Sequence, residues 1–195
     1  MRLHEKSLVM VVELNDLIHI YDNVLEPQVC RFLIDLFENN SDKHEGIESD
    51  KKPNFTQFNL TENCKASDEV NNIHNFLISK VFEYKKKYYE FVDERCFPKD
   101  HNFEQFRIKK YNNDGNDLFD THVDVIDYSS ARRFLSFMWY LNDVEQGGET
   151  VFEGLTIKPK TGSMIIFPPL WMFPHRGNAP ISNKKYLLST YLHYK

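Results

Sequence analysis

Apolar residues recur at helical spacing twice in the first half of the chain, and in short alternating or unbroken runs in the second half. Across residues 27–38, Val29, Phe32, Leu33, Leu36 and Phe37 follow the i, i+3, i+4, i+7, i+8 spacing of one helix face. Pro27 suits the first turn, where its missing N–H has no intrahelical bond to lose. A second stripe of Val70, Ile73, Leu77, Val81, Tyr84 and Tyr88 predicts a helix over about 68–92. Ser67 is its expected N-cap, and Asp68 and Glu69 suit the positive end of its dipole. Between the two helices, 39–52 is polar and charged and reads as a loop, and 54–60 reads as a short strand.

After Cys96 the pattern changes to short strands and turns. Segments 103–111 and 118–125 flank Asp114-Gly115, a turn dipeptide of the kind that closes hairpins. Segment 134–141 is almost wholly apolar, as expected of a strand buried on both faces. Gly147-Gly148 precedes a strand at 150–152, Pro159 to Gly162 precede one at 164–167, and a last strand runs over about 184–193. Helices followed by a run of short strands imply an α+β chain: an antiparallel jelly roll with supporting N-terminal helices. The expected layout is one domain over 1–195, with helical support over 1–100 and the jelly-roll core over 103–195.

Composition narrows the function classes. With 41% hydrophobic residues, 16 Phe and only 7 Gly, the chain is neither disordered nor collagen-like. A net charge of −5 argues against nucleic acid as a partner, because such affinity comes mostly from Lys and Arg on phosphates. The three cysteines, Cys30, Cys64 and Cys96, fit neither a disulfide framework nor a zinc site, so a reducing, cytoplasmic setting is the expectation. The apolar run 8–12 is too short for a signal-peptide core, and no stretch approaches the ~20 apolar residues of a membrane helix.

Candidate chemistry begins with His122-Val123-Asp124. On a strand, residues two apart project to the same face, so an imidazole and a carboxylate would point together. Alone, the pair is a weak signal, and its ordinary reading is two polar residues facing solvent. His175 adds a third ligand type. Two histidines and a carboxylate on one face of a metal leave positions open and suit a non-haem Fe(II) oxygenase. Zinc is the rival on ligand type, although the helical His-Glu-X-X-His pattern of many zinc hydrolases is missing. Lys185, ten positions after His175, lies on an apolar strand. If it points inward it needs an anionic partner, such as a ligand carboxylate; of the pair Lys184-Lys185, only one can do so.

From about Phe106 onward the chain resembles the prolyl 4-hydroxylase type of Fe(II)/2-oxoglutarate-dependent dioxygenase. The resemblance is carried by His122-Val123-Asp124, by the long core strand in 133–144, by Gly147-Gly148-Glu149-Thr150-Val151-Phe152, by His175, and by Lys185 at the head of the terminal strand. It implies a double-stranded β-helix with iron held by His122, Asp124 and His175, and with 2-oxoglutarate gripped by Lys185. Tyr111, Thr150 and Tyr140 would be further cosubstrate contacts, and Arg133 and Tyr191 would face the substrate. Arg133 and Tyr140 are seven apart, so on a regular strand they would face opposite sides; both roles require a bulge between them.

The implied cofactors are Fe(II) and 2-oxoglutarate, with ascorbate a candidate addition. The implied reaction hydroxylates a C–H bond, first of all in a peptidyl proline, with succinate and CO2 as coproducts. The same chemistry on a free amino acid or other small molecule is the alternative. A catalytically silent binding module of the same fold is the reading from another class. Segments 42–52 and 127–132 are the candidate substrate-covering loops. A metal-dependent cupin enzyme without 2-oxoglutarate would have no use for a carboxylate anchor at Lys185.

Overall fold

The computed structural model describes residues 13–49 and 53–195. In chain order, its strands and helices are β1 (His19–Tyr21), α1 (Pro27–Glu38), β2 (Glu45–Ile47), β3 (Phe55–Asn59), α2 (Leu60–Asn63), α3 (Asp68–Phe91), β4 (His101–Phe103), β5 (Arg107–Tyr111), β6 (Phe119–His122), β7 (Arg133–Tyr140), β8 (Thr150–Phe152), β9 (Leu155–Ile157), β10 (Met164–Phe167), β11 (His175–Gly177) and β12 (Lys185–Tyr194). The apolar run at 8–12 lies outside the described residues. No described helix is long and apolar enough to cross a membrane.

The strands form two antiparallel sheets. The major sheet has eight strands in the order β1-β10-β7-β12-β5-β3-β2, with β4 also paired to β12; the minor sheet is β6-β11-β8-β9. This is the expected jelly roll with helical support, a double-stranded β-helix. Each central strand of the major sheet serves two cores. From β7, Leu135, Phe137 and Trp139 join Leu33, Phe37, Leu77, Val81 and Tyr88 of α1 and α3 in one buried cluster. Met138 and Tyr140 turn the other way, toward Phe152, Phe167 and Phe173 in the space between the sheets. That alternation is the period-2 geometry of a strand with both faces covered.

Both long helices form where their apolar stripes predict. In α3 the Ser67 hydroxyl accepts from Val70 N at 3.2 Å, as an N-cap should. Several local expectations need correction. The presumed loop 39–52 contains a short 3-10 turn and β2, whose backbone pairs with β3. The presumed strand 103–111 is two strands. It breaks at Glu104–Phe106, where Glu104 N donates to Tyr191 O and Phe106 N to the Thr61 hydroxyl. The segments around Asp114-Gly115 do not make a hairpin: β5 pairs with β3 and β12, while β6 pairs with β11 in the other sheet. The turn chemistry is real, with Asp117 capping Asn112 N at 2.7 Å, but the chain uses it to cross between layers. β9 and β11 are too short to leave a pattern.

α1 is tied to the major sheet at its end. The Glu38 carboxylate accepts from the Tyr186 hydroxyl at 2.6 Å and from Lys110 Nζ at 2.7 Å. Burial would raise the Glu38 pKa, but the two hydrogen bonds outweigh it and hold the carboxyl below its ordinary value. A carboxyl with a lowered folded pKa lends stability above its unfolded pKa, and that stability is lost as pH falls through the folded value. Glu38 is well exposed, so the effect is small. Glu38→Gln should cost about 0.5 kcal/mol at pH 7, and the difference from wild type should fade below about pH 4.5. Urea denaturation at pH 7 and pH 3 measures both.

Candidate metal and cosubstrate site

Three side chains converge at one end of the space between the sheets. His122 closes β6, and His175 opens β11 directly across from it, with the two rings 4.3 Å apart. Asp124 lies two residues beyond His122, past the end of β6. Strand alternation therefore does not bring this pair together, contrary to the simple expectation; the turn out of the strand does. The ligand atoms of His122, Asp124 and His175 all lie within 4.8 Å of one another. Asp124 faces His122 Nε2 at 3.7 Å and His175 Nε2 at 4.0 Å.

The outward nitrogens of both rings are already committed. His122 Nδ1 meets Asp120 O at 2.7 Å, and His175 Nδ1 meets Phe173 O at 3.1 Å. A carbonyl can only accept, so each ring carries its proton on Nδ1 and turns the Nε2 lone pair inward. Phe119 stacks on the His122 ring, and Phe152 and Phe167 pack around His175. Burial lowers the His175 pKa and favours its neutral, ligating form. Burial would raise the Asp124 carboxyl; the two histidines in their protonated forms and the Lys109 charge act the other way and outweigh it, so the carboxyl stays ionised. Two neutral imidazoles and one carboxylate facing a common point, with oriented outer hydrogen bonds, form a donor set that fits a divalent metal.

Lys185 heads β12 and is 0% exposed, whereas Lys184 faces solvent. Its ammonium donates to Gly148 O at 2.9 Å and lies 4.6 Å from the centre of the Tyr111 ring, across the β12–β5 ladder. Gly147 and Gly148 adopt φ of +75° and +74°, a left-handed pair that carries the Gly148 carbonyl to this point. A Cβ on Gly148 would lie 3.4 Å from Lys185 Cδ and 3.2 Å from Val144. Burial pulls the Lys185 pKa down to about 7. A buried ammonium with one carbonyl partner is costly, and a carboxylate beside it would relieve that cost.

Tyr111, Thr150 and Lys185 line the same pocket as the three ligand residues. Tyr140 does not; it stands behind Thr150 and donates its hydroxyl to Thr150 Oγ1 at 2.6 Å. Thr150 thereby keeps its own hydroxyl proton for the pocket. Tyr191 lines both this inner pocket and a wider outer cavity beside the loop at 126–130, and Arg133 lines only the outer one. The parity problem at Arg133 is resolved by a register shift. Leu192 pairs with Leu135 while His193 pairs with Arg133, so β7 holds one extra residue there. Phe134 turns into the helical core and Arg133 to the site face. Glu104 then fixes the guanidinium through two bonds of 2.7 and 2.6 Å, over the Tyr191 ring at 4.2 Å.

Two residues here escaped the sequence reading. Lys109 lines both cavities, and burial lowers its pKa to about 8. Its position two before Tyr111 on one strand was the available signal. Glu104 left none, because its place depends on the break between β4 and β5.

Residues 106–193 match the family model described as the 2OG-Fe(II) oxygenase superfamily. The matched stretch is a little under half of this chain. A curated relative, "Probable prolyl 4-hydroxylase 9" of Arabidopsis thaliana, is 33% identical over an alignment covering 36% of this chain. The chain spans only about a third (31%) of that relative's length. Among solved structures, a viral collagen prolyl hydroxylase from Paramecium bursaria Chlorella virus-1, in complex with 2-oxoglutarate, has TM-score 0.69 at 22% identity over 92% of this chain and 97% of that one. A Trichoplax adhaerens prolyl hydroxylase, bound to a hypoxia inducible factor peptide fragment, has TM-score 0.71 at 14% identity over 91% and 83%. A Pseudomonas putida prolyl-4-hydroxylase has TM-score 0.66 at 15% identity over 92% and 93%. At these identities the structures establish a shared fold.

The buried ammonium yields a stability prediction. Lys185→Met should raise the stability of the ligand-free protein by about 1–3 kcal/mol at pH 7. A lysine with a lowered folded pKa penalises folding most where it is charged, at and below about pH 7. The advantage of the variant should therefore shrink as pH rises toward the ordinary lysine value. Urea midpoints of both proteins at pH 6.5 and pH 9.5 check the sign and the slope.

Proposed function

We propose that this protein is an Fe(II)- and 2-oxoglutarate-dependent dioxygenase that hydroxylates a C–H bond, with peptidyl proline as the leading substrate. The observation that carries this reading is the convergence of His122, Asp124 and His175, with both imidazoles turning Nε2 to the common point, in a pocket that the buried ammonium of Lys185 also lines. The similarity to prolyl hydroxylases in sequence and fold supports the class.

In this reading His122, Asp124 and His175 would hold the iron. When bound, iron and 2-oxoglutarate would supply the oxidising chemistry with O2 as the oxidant, succinate and CO2 being the coproducts. The chain's own residues bind, orient and exclude. Lys185 pairs with the distal carboxylate, and the hydroxyls of Tyr111 and Thr150 donate to it; Tyr140 holds Thr150 in place. Phe119, Phe167, Met138 and Leu187 form apolar walls that keep water from the reacting centre. Arg133, clamped by Glu104, and Tyr191 face the substrate at the mouth. The carboxylate at Asp124 favours hydroxylation, because related halogenases lack it to make room for halide. A cytoplasmic, reducing setting suits an Fe(II) enzyme whose three cysteines are unpaired.

The test follows succinate formation from 2-oxoglutarate by iron-loaded protein on admission of O2, with ascorbate present and with or without proline-rich peptides. Asp124→Ala should lower iron affinity at least about 100-fold and abolish turnover. Lys185→Ala should act mainly through 2-oxoglutarate, raising its KM by roughly 30-fold or more. Stimulation by peptide supports a prolyl hydroxylase. Full succinate formation in Asp124→Ala would refute the iron site, and iron binding with no succinate in wild type would point to a silent module.

A further inference from the structure

The inner pocket is electrically balanced without Lys109. On the reading above, the charges of Fe(II) and Lys185 match those of Asp124 and a doubly negative 2-oxoglutarate. Lys109 is then a surplus cation in a water-poor site. Among the described residues its ammonium makes no hydrogen bond and no ion pair within 4 Å; its nearest specific contact is the Phe55 ring, 5.2 Å away. It lines both the inner pocket and the outer cavity, whereas Lys185 lines only the inner one. Lys109 therefore stands where the two meet, on the side a substrate would enter.

A second unsatisfied donor lies beside it. Arg107 is two residues earlier on β5, so it projects to the same face and lines the outer cavity. Its guanidinium reaches Glu104 at 3.6 Å and also bonds Gln105, yet its buried Nε has no partner among the described residues. Glu104 is already committed to Arg133. Glu104, Asp127 and Asp124 line the outer cavity with Arg107, Lys109 and Arg133; with Asp124 taken up by the metal on the reading above, one positive charge is left in excess. Two unpaired donors on adjacent same-face positions, at the entrance to a metal site, form a cradle for an anion.

We propose that Lys109, with Arg107, receives a carboxylate of the primary substrate, so that this oxygenase acts on an acidic molecule. The inference rests on the function proposed above and adds its substrate class. The carboxylate has two possible sources, an acidic side chain flanking the target residue in a peptide or the carboxylate of a free amino acid.

Two matched pairs of probes separate these sources: short blocked peptides with Asp or Asn following the proline, and L-proline against L-prolinamide. Binding is measured by calorimetry, without O2, on protein loaded with Mn(II) and 2-oxoglutarate. In wild type the carboxylate member of one pair should bind at least ten-fold tighter than its amide partner. Lys109→Met should erase that difference, and Lys109→Arg should retain most of it. Unfolding midpoints confirm that both variants fold.

Equal or absent binding of carboxylate and amide members in wild type overturns the proposal, as does an acid preference that survives Lys109→Met. Weakened 2-oxoglutarate binding in Lys109→Met, with the acid preference intact, also overturns it and assigns Lys109 to the cosubstrate. Succinate formation by wild type is followed separately with iron and O2. Its absence would sink the oxygenase reading, while the binding preference is judged on its own.

Discussion

The major sheet is covered on both faces, and most of the molecule follows from that constraint. α1 and α3 bury one face, and the minor sheet closes over the other. A strand in that position cannot slip by one residue without sending its helix-facing side chains into the site and its site-facing ones into the core. Leu188 and Leu192 of β12 therefore hold Lys185, Leu187, Ser189 and Tyr191 in register. In β5, the buried Ile108 does the same for Arg107, Lys109 and Tyr111. The large helix-facing side chains, several of them fully buried, contribute roughly 2 kcal/mol each through removal from water. That apolar contribution offsets the cost of the polar groups on the opposite face.

Those polar groups are arranged for charges the protein does not itself supply. The backbone carbonyls of Asp120 and Phe173 set the tautomers of two histidines, and a left-handed glycine pair brings a carbonyl to an otherwise isolated ammonium. Each arrangement costs stability in the free protein, and on the function proposed above a bound metal or anion would offset that cost. The result is a site whose donors and acceptors are oriented before binding, which reduces the reorganisation needed during reaction.

The extra residue in β7 shows how locally this polarity is controlled. Without it, Arg133 would share the face of Leu135 and Phe137 and carry a charge into the helical core. With it, the guanidinium reaches Glu104 and the outer cavity while Phe134 takes the core position. One inserted residue thus separates the cavity-lining side of the strand from its packing side.

The two helices, the N-cap at Ser67, the long apolar strand and the order His122, Asp124, His175, Lys185 were all determined by sequence, because each rests on spacing along one segment. Only the tertiary structure decided that β5 and β6 belong to different sheets, that the chain breaks at Glu104–Phe106, and that Tyr140 supports Thr150 from behind. It also decided that Lys109 has no hydrogen-bond or ion-pair partner among the described residues. Pairing between strands far apart in sequence is set by which faces can be buried together. The partner of a charged group is therefore known only when every element that could supply one has been placed.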